Sequence, residues 1–331
     1  MLKNRLGTLL KVFVSLGLIA YLFIRMDLAQ VSTALKSANY WLLLPAAVLF
    51  LAAMSNAGLK WYVLLRAQGI AVPFRAVLGY TYVGFFFNNF LPANVGGDVM
   101  RGYGLARYTE QGAEAAVSVV VDRIVGLMAF MSSAVVAALV AVLLLHQENL
   151  RGVEAAAIIG LAIIAAGFAL ILSRRVRALA GHLFGLKLLA PLAPIYKRLS
   201  DALNAYRHNV GALALAFCIA LVTIVLTNFT DYFIVQSLGG GIPLIYIFIF
   251  NPIIAFVLAF PISIGGLGIT QAVYPFFYGL VGVPASLAFT VSLLKQLIVY
   301  LTSLIGGVLW WRGRAGAGEA PGEPEHAPTP S

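Results

Sequence analysis

Long apolar runs, interrupted twice by proline and paired glycines, limit what this chain can fold into. Residues 8–24, 41–65, 115–145, 153–172, 210–238 and 285–311 are apolar. Several of these runs reach the roughly 20 residues a helix needs to cross a bilayer. Alternation of the β-barrel kind is absent. Of the 331 residues, 61% are hydrophobic and only 10% are charged, whereas soluble domains carry about 25% charged residues. That excludes an ordinary soluble enzyme, and disorder over most of the length. The reading is an all-α polytopic membrane protein.

The net charge of +10 is explained by loops enriched in Lys and Arg on the cytoplasmic side, with no nucleic-acid partner. Residues 173–208 carry Arg174, Arg175, Arg177, Lys187, Lys197, Arg198 and Arg207 against the single acid Asp201, and read as a basic cytoplasmic linker. Lys3, Arg5, Arg312 and Arg314 place both termini on the same side. The connection His146–Glu154, with Glu148 and Glu154 against Arg151, falls outside. The N-terminal run is read as a retained span, because no small-residue cleavage site follows Ile24. Residues 1–312 form one membrane domain, and 313–331, rich in Gly, Pro and acid, read as a disordered tail. The single Cys218 permits no disulfide or thiolate cluster, and the four histidines form no ligand pair. No metal and no cofactor are expected.

Two stretches depart from simple spans. Residues 76–90 are short, and a polar glycine-rich segment follows them. Residues 242–260 run into Pro261 and then Gly265-Gly266-Leu267-Gly268. Tracing the loop charges makes each a hairpin, the two entering from opposite faces. Phe-Leu-Pro-Ala-Asn-Val-Gly-Gly at 90–97 matches Ala-Phe-Pro-Ile-Ser-Ile-Gly-Gly at 259–266, an offset of 169 residues. The expected architecture is therefore six full spans plus two oppositely inserted re-entrant hairpins, in an inverted repeat with halves at about 41–145 and 210–311.

Pro-x-[Asn/Ser]-x-Gly-Gly cannot continue a helix. In a membrane such backbone is tolerated only inside protein or beside a watery cavity. The free N–H groups at the next helix start attract anions. Asn94, Gly96, Gly97, Ser263, Gly265 and Gly266 are thus candidates for an anion site; the alternative is a pair of surface turns. Asp98 and Arg101 lie three apart, on one helix face, with Arg107 six further on. They read as an anion site or as a solvated loop. Asp122 and Arg123 sit inside an apolar run, where a lone charge is costly. Arg123 is read as facing substrate and Asp122 as facing Asp98 and Arg101; a structural ion pair is the alternative. Lys295 holds the matching place in the second half, and Asp231 has Lys295 or Lys60 as its partner. Asn88 and Asn89 are expected to satisfy freed backbone groups. Aromatics such as Phe85, Phe86, Phe87, Tyr274, Phe276, Phe277 and Tyr278 would line an acyl-chain groove or pack the core.

The stretches NNFLPANVGGDVMRGYGLAR at 88–107, VDRIVGL at 121–127 and FPISIGGLGITQAVYPFFYGLVGVP at 260–284 resemble the lysylphosphatidylglycerol synthase transmembrane-region family. This family is also called the flippase-like domain or UPF0104 family, and the resemblance covers roughly residues 5–312. It implies a lipid flippase or transporter of a bacterial inner membrane. The cargo would be an anionic or aminoacylated phospholipid, or an isoprenoid-linked lipid. Lipid-biosynthesis enzymes are implied as partners. The soluble synthase domain of some relatives has no counterpart in this sequence, so its tRNA-dependent activity is not expected. A membrane-embedded headgroup or glycosyl transferase using Asp98 or Asp122, or a non-transporting partner of a lipid-modifying enzyme, are the other readings.

Overall fold

A computed structural model describes residues 28–90, 96–143, 151–173, 175, 193–259 and 266–313, and the regular elements in them are all helical. In chain order these are α1 (Leu28–Lys36), α2 (Leu43–Ala67), α3 (Phe74–Phe90), α4 (Gly96–Thr109), α5 (Gly112–Leu143), α6 (Arg151–Leu172), α7 (Ala193–His208), α8 (Val210–Ser237), α9 (Leu244–Ala259), α10 (Ile269–Gly279) and α11 (Ala285–Trp311).

The boundaries follow from local chemistry. Asn39 accepts a hydrogen bond from the Trp41 N–H at 3.2 Å and opens a short 3-10 turn that runs into α2. Gly69, at φ +79°, ends that helix. Three consecutive glycines, Gly239–Gly241, all with positive φ, stop α8, and Pro284 precedes α11.

Among the described residues, four helices are long and apolar enough to cross a membrane: Tyr40–Ala67, Gly112–Val140, Val210–Ser237 and Ala285–Trp311. This corrects the expectation of six full spans plus two oppositely inserted hairpins in an inverted repeat. The run at 153–172 forms α6, a helix of 22 residues. The run at 8–24 lies outside the described residues. The two supposed hairpins are four separate short helices, α3, α4, α9 and α10, of 17, 14, 16 and 11 residues. Even α3 extends only about 25 Å, short of the roughly 30 Å hydrocarbon core. Hydropathy counts apolar residues without telling whether lipid or protein covers them.

The bundle is built on α2 against α8, the most extensive contact, with α3 laid on α11 and α9 on α5. The side chain of Asn56 ties the central pair: its amide donates to the Ile219 carbonyl at 2.7 Å and to Thr223 Oγ1 at 2.8 Å. Asn56→Ala is expected to cost about 1 kcal/mol, read as a lower unfolding temperature of the detergent-purified protein. The α3–α11 contact depends on Gly306, where a Cβ would run into the Tyr82 carbonyl. Phe90 stacks on Tyr300 with ring centroids 5.4 Å apart, and Phe87 meets Trp310 edge-on at 5.4 Å.

Candidate functional site

The charges in the first half of the bundle form an alternating chain. On α4, Asp98 and Arg101 share a face, with Arg101 Nε 3.1 Å from Asp98 Oδ1. Arg101 Nη2 reaches Asp122 Oδ2 on α5 at 2.8 Å. Lys60, from the C-terminal half of α2, lies 3.0 Å from Asp122 Oδ1 and donates to the Asp122 carbonyl at 2.9 Å. At the other end, Arg123 Nε donates to Asp98 Oδ2 at 2.5 Å. The order is Lys60, Asp122, Arg101, Asp98, Arg123: three cations and two carboxylates.

Adjacency on a helix explains why Asp122 and Arg123 part company. Successive side chains diverge by about 100°, so Asp122 turns into the core and its neighbour turns away. The side chains of Lys60, Arg101 and Asp122 are no more than 10% exposed, while that of Arg123 is 41% exposed. Arg101 also lies 4.9 Å above the Trp61 ring, whose Nε1–H donates to Ser118 Oγ. Next to this network Tyr206 of α7 is fully buried among Leu64, Val121 and Val125. Burial first, and then the Asp122 carboxylate, push its phenol above the usual range.

A second cluster lies on α8 to α11. Lys295 is ion-paired to Asp231 Oδ1, while Asp231 Oδ2 accepts from Asn251 Nδ2 at 2.6 Å and from the Tyr274 hydroxyl at 2.8 Å. Asn251 Oδ1 in turn accepts from the Tyr278 hydroxyl at 3.0 Å. Each oxygen of the one carboxylate is thereby satisfied.

The two clusters border adjoining cavities of about 320 and 250 Å³, with shared walls at Phe85, Asn88, Arg123, Phe130 and Ile224. Lys60, Asp98, Arg101 and Asp122 line the smaller; Asp231, Asn251, Tyr274 and Lys295 line the larger. Arg123 belongs to both.

Of the residues singled out in the sequence, Asp98, Arg101, Asp122 and Arg123 come together in one network, and Lys295 meets the same cavity system from the other cluster. Arg107 joins neither: it is exposed, 5.9 Å from the Tyr103 ring. Gly96 and Gly97 open α4, but the Gly97 N–H is taken by Asn88 Oδ1 at 2.9 Å, so that helix start is capped by the protein itself. Asn89 bonds the Phe85 carbonyl. Gly266, at φ +75°, forms the turn before α10 and lines the larger cavity. There the Gln271 side chain reaches back to the Gly268 N–H at 2.8 Å. Asn94, Ser263 and Gly265 lie outside the described residues. Among the aromatics, Phe85 and Tyr274 line the cavities, whereas Phe276 is 64% exposed.

Sequence reasoning missed Asn251 and Asn228 as site residues, and named Tyr278 as a groove or core aromatic without its hydrogen bond to Asn251. A polar residue inside an apolar run was the available signal, as in Phe250-Asn251-Pro252. The oxygens of Asp98 and Asp122, the candidate bases for an enzymatic reading, face cations.

Residues 8–307 match the family described as Lysylphosphatidylglycerol synthase TM region; the match is to the membrane region and not to a synthase domain. The chain is 26% identical to a UPF0104 membrane protein of Methanothermobacter thermautotrophicus over 291 residues, which covers 82% of this chain and 85% of that one. It is 25% identical to a UPF0104 membrane protein of Pyrococcus horikoshii over 279 residues, covering 77% and 82%. No solved structure matches it. Both relatives are archaeal, which overturns the expected placement in a bacterial inner membrane: that placement came with the family resemblance, and the family reaches beyond bacteria.

Proposed function

The chain belongs to the lysylphosphatidylglycerol synthase TM-region family, and from that premise we propose that it moves a lipid with an anionic headgroup across the bilayer. The observation that carries this reading is Arg123. It is the most exposed cation of a network that is otherwise buried, and it stands in the wall shared by both cavities.

A phosphate crossing hydrocarbon unaided faces a large desolvation cost. Here the headgroup would pass beside Arg123 while its acyl chains stay in lipid. Among the described residues the first cluster sets three cations beside two carboxylates, surroundings that favour an anion over a cation. Arg101 and Lys60 are held by Asp122 and hold it in return, so they act on the headgroup by positioning Asp98 and Arg123. Lys295, already paired to Asp231, faces the same cavity further along.

The test is headgroup movement in liposomes that contain the purified chain, followed with a fluorescent anionic phospholipid placed in one leaflet. Arg123→Ala is expected to slow translocation at least about 10-fold, the effect of losing a charge-assisted contact worth about 1.5–3 kcal/mol. Its unfolding temperature should stay close to the parent's, because the side chain is half-exposed. Translocation by Arg123→Ala at the parent rate, or a parent rate no faster than in protein-free vesicles, overturns the reading.

A further inference from the structure

We infer that the second cluster is a proton site. Asp231 takes up a proton with each anionic headgroup, and Lys295, released from Asp231, pairs with the phosphate instead. Proton and lipid then cross together and move no net charge. This rests on the reading of Arg123 as a phosphate contact and adds what drives the movement.

Three carboxylates line the two cavities among the described residues. Asp98 faces Arg101 and Arg123, and Asp122 faces Lys60 and Arg101. Protonating either would break two ion pairs of one connected network. Among the described residues Asp231 faces a single cation, Lys295; its other partners, the Asn251 amide and the Tyr274 hydroxyl, are neutral donors. The two kinds of partner also sit on different oxygens. Lys295 is on Oδ1, while Asn251 and Tyr274 are both on Oδ2. A proton on Oδ1 leaves Oδ2 an acceptor with both of its bonds intact. The carboxyl group stays in place and only the ion pair is lost.

The pair is layered toward the cavity. The Asp231 side chain is 1% exposed and that of Lys295 14%, so a headgroup meets the ammonium before the carboxylate. Lys295 Nζ lies 5.7 Å from the centre of the Phe50 ring of α2, which offers no counter-ion. Among the described residues the charged groups lining this cavity are Arg123, Asp231 and Lys295, and Tyr274 is the other titratable one. The wall from α3 is neutral, with Phe85, Asn88 and Asn89. Lys60 of α2 is held by Asp122, and Tyr206 of α7 packs beside that first network. No second carboxylate in this lining competes for Lys295.

A phosphate that draws Lys295 away leaves Asp231 buried without a counter-ion. Such a charge is costly, and the carboxylate takes a proton rather than stay ionised. Conversely, a protonated Asp231 frees Lys295 for a phosphate. Each ligand favours the other, and linkage makes the two effects equal. When the phosphate departs on the opposite side, Lys295 returns to Asp231 Oδ1 and the proton leaves to water.

The experiment uses the purified full chain and phosphatidylglycerol, whose phosphodiester stays ionised at mildly acid and mildly alkaline pH. In weakly buffered detergent solution, binding should take up a proton per lipid, read as a rise in pH. In phosphatidylcholine liposomes, a gradient of about one pH unit should concentrate acyl-labelled phosphatidylglycerol on the alkaline side up to about 10-fold, beyond protein-free vesicles under the same gradient. An imposed membrane potential should not move it. Asp231→Asn combined with Lys295→Gln removes both charges, so neither is stranded. This variant should take up no proton on binding and, whatever its speed, bring the label to equal amounts in the two leaflets. Binding without proton uptake by the parent, accumulation that follows the potential instead of the pH gradient, or proton uptake by the double variant equal to the parent's overturns the inference. Fast translocation indifferent to the pH gradient removes the coupling alone. Translocation no faster than in protein-free vesicles, or unchanged in Arg123→Ala, removes the Arg123 reading beneath it.

Discussion

Asp122→Asn is expected to destabilise the protein by about 3–5 kcal/mol, because it leaves Lys60 charged and buried without its counter-ion and takes from Arg101 one of its two carboxylates. Among the described residues Asp122 is the only carboxylate that touches both cations, and it joins α5 to α2 and to α4. The asparagine keeps the shape and removes the charge, so the loss measures electrostatics and not packing. Thermal unfolding of the purified protein should show a fall of many degrees. Adding Lys60→Met should restore part of it by removing one stranded cation. An unfolding temperature within a degree or two of the parent would mean that the network is hydrated and not structurally required.

The second large effect is expected at Gly97. A Cβ there would run into the Gly84 carbonyl oxygen and come within 2.7 Å of Asn88 Oδ1, the atom that caps the Gly97 N–H. Gly97→Ala must therefore drive α4 off α3. The overpacking costs about 1–3 kcal/mol, and losing the cap adds about 1 kcal/mol. Because Asp98 and Arg101 follow in the next turn, their contacts to Asp122 and Arg123 move with the backbone. Translocation should fall together with stability. Gly102→Ala on the same helix is the control: its Cβ would sit at an ordinary 3.6 Å from Val119 Cγ2, and it should be nearly neutral in both measurements. If Gly97→Ala behaves like the control, the close approach of α3 and α4 is not what sets the site.

Much of the helical layout was legible because it is local. Apolar runs at 41–65, 115–145, 210–238 and 285–311 became α2, α5, α8 and α11 with boundaries within a few residues, since proline, glycine and the end of a hydrophobic run act on neighbouring residues. The i,i+3 spacing of Asp98 and Arg101 was readable for the same reason. The partner of Asp231 was narrowed to two lysines, and the structure pairs it with Lys295 while Lys60 goes to Asp122. That choice spans 64 residues for one pair and 62 for the other, and no sequence window contains it. Arg107, close to Arg101 in sequence, lies six helical residues on and so on another face, exposed beside Tyr103.

The sequence by itself determined that this is a chain of apolar helices with a few charges too expensive to leave facing lipid. Hydrophobic run length and the cost of an isolated charge are properties of short segments. Only the tertiary structure decided how many of those helices are long enough to span, which charges neutralise one another, and that Arg123 and Lys295 share one cavity. Those outcomes depend on crossings such as Gly84 against Gly97 and α2 against α8. There, packing of residues far apart in the chain sets which side chains meet, and burial then dictates that they pair.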